Sequence, residues 1–343
     1  MTTDARLVER AMGAARALRA GVPLQCGIYD TASLHSRIAR LVAESRFDLV
    51  HVQLARLAPA VERALPSRLP RVIDLIDALS LNMRRRADRD RLVWRWLARI
   101  EAARLAALER ALLERWDHAT VVTVRDRDAI GAHPRLSVNR NGVDLARFPY
   151  VDEGRDPNRV VFTGNLGYFP NVDAIRWFVT QVWPRVIAQV PSLRLELIGA
   201  RPSAELRRLT SGGPGIELVG PVEDLAARLA RATIAIAPLQ AGSGQPLKVL
   251  EAFAAGTPVV ATPVAVAGLR DVTDAHLRVA TSAADFAEAI VALASDPVAR
   301  KRLAGAARAL VERSYGWDEP VAELEAIWER AASHAATAPR GST

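Results

Sequence analysis

The chain has 343 residues, of which 50% are hydrophobic and 24% charged, with a net charge of +8. That balance excludes a disordered protein, and the length exceeds what one hydrophobic core usually organises, so two lobes are expected. The lone cysteine, Cys26, excludes an internal disulfide, and with no signal peptide or run of 18 apolar residues a cytoplasmic setting is expected. The arginines are spread over nearly every helix without aromatic interleaving, which argues against nucleic acid as a partner. Their excess could still draw the chain to anionic lipid at the inner face of the plasma membrane.

In chain order, Met1 leads into an amphipathic helix. Residues 47–52 (FDLVHV), 71–77 (RVIDLID) and 118–124 (HATVVTV) read as three strands, with a long Arg/Ala/Leu helix over 88–115 before the third. His51 ends the first strand and is either a site residue or a core histidine with a backbone partner. Asp77 ends the second, either as a site carboxylate or, with Ser80, as a cap for the helix that follows. The RRRAD run at 84–88 is either a solvated helix face or a contact for acceptor phosphate. Trp94 and Trp96 lie two apart and cannot share a helix face, so at least one is expected to be exposed or at an interface.

From Arg159 onward strands and helices alternate. RVVFTG (159–164), LRLELIGA (193–200), IELVG (216–220), IAIAPL (234–239), PVVAT (258–262) and LRVA (277–280) form a complete doubly wound parallel sheet, with helices over 171–189, from Ser203, from Glu223 and from Gln245 between them. Gly199, Gly220 and Gly268 mark loops at the carboxyl ends of strands, where ligands bind in such sheets. A last helix follows Tyr315-Gly316-Trp317, and the residues after Ala335 read as a small polar tail without structure. The domain reading is 1–145, 146–317, a helix over 318–335 and a tail over 336–343.

The most informative stretch is AGSGQPLKVLEAFAAGTPVVAT (241–262), which joins a glycine-rich loop, a helix and a buried strand. Gly242 and Gly244 permit a tight loop, and the following helix turns its free N–H groups back toward it. A phosphate fits such a helix start, and Lys248 in the first turn adds a positive charge. Three residues on, Glu251 shares the helix face, where a carboxylate accepts hydrogen bonds from ribose hydroxyls. A surface ion pair beside a turn would account for the same residues. Against it, Lys248 and Lys301 are the only lysines among 46 basic residues.

This stretch resembles the nucleotide-sugar site of glycosyltransferase family 4, in the branch associated with exopolysaccharide assembly. So do FTGNLGYFPNVDAIRWF (162–178), RNGVDLARF (140–148) and IELVGPVEDL (216–225), in the family's order. The resemblance implies a GT-B fold of two Rossmann-like lobes, α/β throughout, and a retaining transfer of sugar from a nucleotide-diphosphate donor to a glycan or lipid-linked acceptor. It implies no cofactor or metal. The roles it implies are Glu251 on the ribose, the Gly244 amide and Lys248 on the diphosphate, and Ser243 near the donor sugar. Gly164, Asn165 and Gly199 would lie close to the phosphates, Val219 and Val222 beside the base, and His51 and Asp77 on the opposite lobe. Ser243 stands where the family usually has a glutamate, and Asn165, Pro170 and Asn171 fill the region where it usually has two cations. Relative to the family the first lobe reads as lacking its opening βαβαβ half, which would leave an apolar sheet face exposed. A non-catalytic nucleotide-binding or assembly subunit derived from such an enzyme is the alternative reading.

Overall fold

The computed structural model describes residues 3–66, 69–89 and 92–337. The chain divides into two compact units, Met1–Arg140 with Pro320–Thr343, and Asn141–Glu319.

The first unit opens with helices Thr3–Arg19, Leu24–Tyr29 and Ala32–Glu44. Its sheet has four parallel strands in sequential order: β1 (Val50–Gln53), β2 (Arg71–Ile76), β3 (His118–Val121) and β4 (Leu136–Val138). The fourth strand escaped the sequence reading because three residues are too few to show an alternation. Ile73 and Leu75 pack with Leu105, Leu112 and Trp116 in one core, while Val72 packs against Ile327 and Ala331 of the terminal helix Asp318–Thr337. Both faces of β2 are thereby covered, which corrects the expectation of an exposed apolar sheet. The terminal helix runs to Thr337, two residues into the segment read as tail; 338–343 lie outside the described residues.

The long helix read over 88–115 is Leu92–Arg115, preceded by a separate helix Leu79–Ala87. Neither Asp77 nor Ser80 caps that shorter helix. Ala78 occupies the cap position and offers no acceptor, so remote carboxylates serve instead: Asp126 accepts from Ala78 N at 3.1 Å and Glu109 from Ser80 N at 3.0 Å. Glu101 does the same for Leu24 N and Gln25 N, at 2.9 and 3.1 Å, where Pro23 cannot cap. Burial raises the Glu109 pKa, and hydrogen bonds from Ser80 offset part of that rise.

The second unit holds β5 (Arg159–Thr163), β6 (Arg194–Ile198), β7 (Ile216–Gly220), β8 (Ile234–Ala237), β9 (Val259–Ala261) and β10 (Arg278–Val279). All pairs are parallel and the order is β10-β9-β8-β5-β6-β7. Val160 and Phe162 face one core and Val161 the other, as expected for a strand buried on both faces. The chain adds β6 and β7 on one side of β5, then β8, β9 and β10 on the other. The carboxyl ends of β5 and β8 therefore flank a topological switch point. The helix after β5 runs from Phe169 to Gln189 with a π-helical turn at Phe178–Val182, just before Pro184, which has no N–H to give the preceding turn.

Arg155 ties the edges of this unit together. Its guanidinium donates to the carbonyls of Val151, Ala232, Ala255 and Gly256, at 2.5 to 3.0 Å, and to Thr257 Oγ1 at 3.2 Å. Replacing it by Met orphans several inward-facing acceptors, so Arg155→Met is expected to lower the unfolding free energy by about 3 kcal/mol. Chemical denaturation measures this, and a loss under about 1 kcal/mol would mean that water takes over the contacts.

Candidate functional site

At the switch point, Gly164 follows β5 and Gly199 follows β6, and the two glycines touch. A Cβ on Gly199 would lie 1.7 Å from the Gly164 carbonyl oxygen, so no larger residue fits this crossing. Gly164 N donates to Ile198 O at 3.0 Å and Gly199 N to Gly220 O at 2.8 Å, which knits three strand ends into one platform. Opposite it, the loop after β8 leads into the helix Leu247–Ala254, whose cap position is Pro246, a residue with no side-chain acceptor to give its first N–H groups. Gly268 closes on that loop: a Cβ there would fall 2.3 Å from Gly244 O.

Lys248 projects from the first turn of this helix to the Gly164 turn. Its Nζ donates to Asn171 Oδ1 at 2.8 Å and lies 3.8 Å from the centre of the Phe162 ring. Asn171 in turn donates from Nδ2 to Asn165 O at 2.9 Å, so Gly164, Asn165, Asn171 and Lys248 form one connected group. Burial of the ammonium pushes its pKa down to about 7, and the Glu251 carboxylate opposes that fall. Glu251 is half-buried on the same helix; burial raises its pKa against the pull of Arg147 and Lys248. Lys248 and Glu251 are thus not a solvated surface pair.

Val219 and Val222 pack partly exposed on the core that contains Val249 and Leu250, forming an apolar edge beside the same helix. Ser243 is half-buried in the loop. Two residues passed over in the sequence hold the loop in place. Gln245 accepts from Asn141 N and donates to Asn141 O, both at 3.0 Å. Asn171, read as a helix-start residue in the region where the resembling family has a cation, orients Lys248. Its position six residues after Asn165, just behind a proline, was the available signal.

His51 and Asp77 belong to the first unit. His51 Nδ1 accepts from Trp328 Nε1 at 3.0 Å with the rings edge to face, and burial lowers its pKa. The partner is therefore an indole, not the backbone, and the neutral ring carries its proton on Nε2. Asp77 follows β2 half-buried, its N–H donating to Leu75 O at 2.9 Å. Among the described residues no group of three or more His, Cys, Asp or Glu side chains is placed to hold a metal ion.

Residues 157–296 match the family model described as Glycosyl transferases group 1. Over that region the chain is similar to glycosyltransferase domains. Over 217 residues the chain is 29% identical to the GDP-mannose-dependent monoacylated alpha-(1-6)-phosphatidylinositol monomannoside mannosyltransferase of Corynebacterium glutamicum, covering 57% of this chain and 56% of that protein. It is 32% identical over 155 residues to the phosphatidyl-myo-inositol mannosyltransferase of Mycobacterium leprae, covering 44% of this chain and 41% of that protein. The chain spans about half the length of these relatives. The structure of sucrose-phosphate synthase from Thermosynechococcus elongatus matches with a TM-score of 0.70 at 17% identity, over 88% of this chain and 77% of its own. The fold is α/β, of GT-B class.

The depressed Lys248 pKa sets a sign. The folded chain holds this proton less tightly than the unfolded chain does, so its stability is penalised below about pH 7 and recovers as pH rises toward the ordinary lysine value. A bound anion reverses the preference. Nucleoside diphosphate binding at pH 8 is expected to take up close to one proton, and affinity to fall as pH rises above 7. Calorimetry in buffers of different ionisation heat reads the uptake. Lys248→Met should abolish it, and buffer-independent heats in the unaltered protein would refute the assignment.

Proposed function

We propose that the chain moves a sugar from a nucleotide-diphosphate sugar to a glycan or lipid-linked acceptor with retention of anomeric configuration, and that it does so without a divalent cation. One observation carries this reading: Lys248 and Glu251 project from the first turns of a single helix behind a glycine loop, at the switch point of a sheet inside the matched region. In transfer from such a donor the diphosphate leaves with growing negative charge. Preorganised N–H groups and an ammonium stabilise that charge more than they stabilise the bound donor, which is what accelerates the step. Lys248, held by Asn171, and the amide of Gly244 take this role, with Gly164, Asn165 and Gly199 shaping the turn close to the phosphates. Glu251 accepts from the ribose, Val219 and Val222 border the base, and Ser243 faces the donor sugar. His51, through Nε2–H, and Asp77 are assigned to the sugar and acceptor side.

The names of the two mannosyltransferases support a lipid-linked acceptor, since both mention phosphatidylinositol compounds. Ser243 and Asn165, neutral where charge is usual in the resembling family, keep a second reading open, a nucleotide-binding subunit that does not turn over.

Incubation with UDP- and GDP-sugars, with products read by NMR for anomeric configuration, tests the proposal. Glu251→Gln is expected to weaken nucleotide binding by about 1.5–3 kcal/mol while leaving the melting temperature unchanged. A sharp fall in melting temperature with affinity intact would make Glu251 a structural residue. Binding without turnover of any sugar nucleotide would favour the second reading.

A further inference from the structure

The start of the helix Leu92–Arg115 presents an apolar surface that none of the described residues covers. Leu92, Val93, Trp94, Trp96, Leu97 and Ile100 are exposed, with 76% of Leu92, 62% of Trp94 and 67% of Trp96 open to solvent. At roughly 100° per residue these six side chains fill an arc of about 200°. Five of them lie on the side away from the packed stripe of Ala98, Glu101, Ala102 and Leu105, while Trp94 lies in line with that stripe one turn before it begins and is exposed there. Arg95 and Arg99 project beside it. An exposed helix end this apolar is unlike a solvated face, and two tryptophans with flanking arginines match the side chains that settle at a bilayer interface.

Charge points the same way. Residues 84–100 hold seven arginines and two aspartates. Exposed Arg84 and Arg99, with Asp88 beside them, line an open hollow of about 410 Å³ floored by Ala102, Ala103 and Ala106, where two guanidinium groups outweigh one carboxylate and leave a net positive charge. Among the described residues no helix is long and apolar enough to cross a membrane, so the contact lies in the plane of the surface.

We propose that the first turns of this helix, with Arg84, Arg95 and Arg99, form a docking surface for a bilayer containing anionic phospholipid. Trp94 and Trp96 enter the interface while the arginines pair with lipid phosphates. The proposal uses the first unit alone and stands apart from the nucleotide reading.

Co-sedimentation of the full chain with vesicles tests it, comparing phosphatidylcholine alone with phosphatidylcholine mixed with phosphatidylglycerol. The chain is expected to pellet with the mixed vesicles and stay in solution with the neutral ones, with binding reduced by salt. Trp94→Ser with Trp96→Ser, and separately Arg95→Gln with Arg99→Gln, should each cut partitioning roughly tenfold or more. Trp94, Trp96 and Arg99 lie at the surface and Arg95 is half-buried, so circular dichroism and melting of each variant are read alongside, and lost partitioning with these unchanged separates lost docking from lost fold. Equal pelleting of either double variant and the unaltered chain overturns the proposal, as does failure of the unaltered chain to bind anionic vesicles. So does a tryptophan variant that shifts from dimer to monomer with vesicle binding intact, which would assign the face to a second copy.

Discussion

A single ammonium group, drawn out of water and given one neutral partner, is the interaction on which the second unit's site turns. Lys248 is held by an amide oxygen and an aromatic face, and the nearest carboxylate, Glu251, opposes its deprotonation only in part. A carboxylate in direct contact would have neutralised the cation and left little for a ligand. Asn171 fixes the position of the ammonium while leaving its charge unmatched. The surrounding glycines follow from the same requirement: backbone must approach to within contact distance, and Gly164, Gly199 and Gly268 are where any side chain would block it.

The first unit solves a different problem. Its sheet is narrow, and two of its helices, Leu24–Tyr29 and Leu79–Ala87, start at residues that cannot cap themselves. The carboxylates that complete them come from the long helix Leu92–Arg115 and from Asp126. These groups are buried because they are hydrogen-bonded, and the helix starts are ordered because the carboxylates reach them. The long helix is at once a core element through Leu105 and Leu112, a source of caps, and, over its first turns, a surface facing outward.

The second unit's sheet was readable from the sequence because each strand is a short β-branched run bounded by glycine or proline, and a parallel sheet buried on both faces leaves that signature. Lys248 and Glu251 stood out for a different reason: their spacing on one helix and the scarcity of lysine. Asn171 and Gln245 did not, since what they do depends on which backbone or ammonium the fold brings opposite them. The same holds for Trp328, whose contact with His51 joins residues 277 apart. In the first unit β4 was too short for a period to show, and the remote caps could not be anticipated because an N-cap is sought within a few residues of its helix.

The distance in sequence between Glu101 and the helix it completes has a consequence for synthesis. Leu24 and Glu101 are 77 residues apart. At translation rates of roughly 5–20 residues per second, the helix Leu24–Tyr29 emerges about 4–15 s before its carboxylate exists. Through that interval its leading N–H groups have water as their partner, and so short a helix does not persist on its own. The helix Leu24–Tyr29 is therefore completed late, when the long helix has been made and folds back over it.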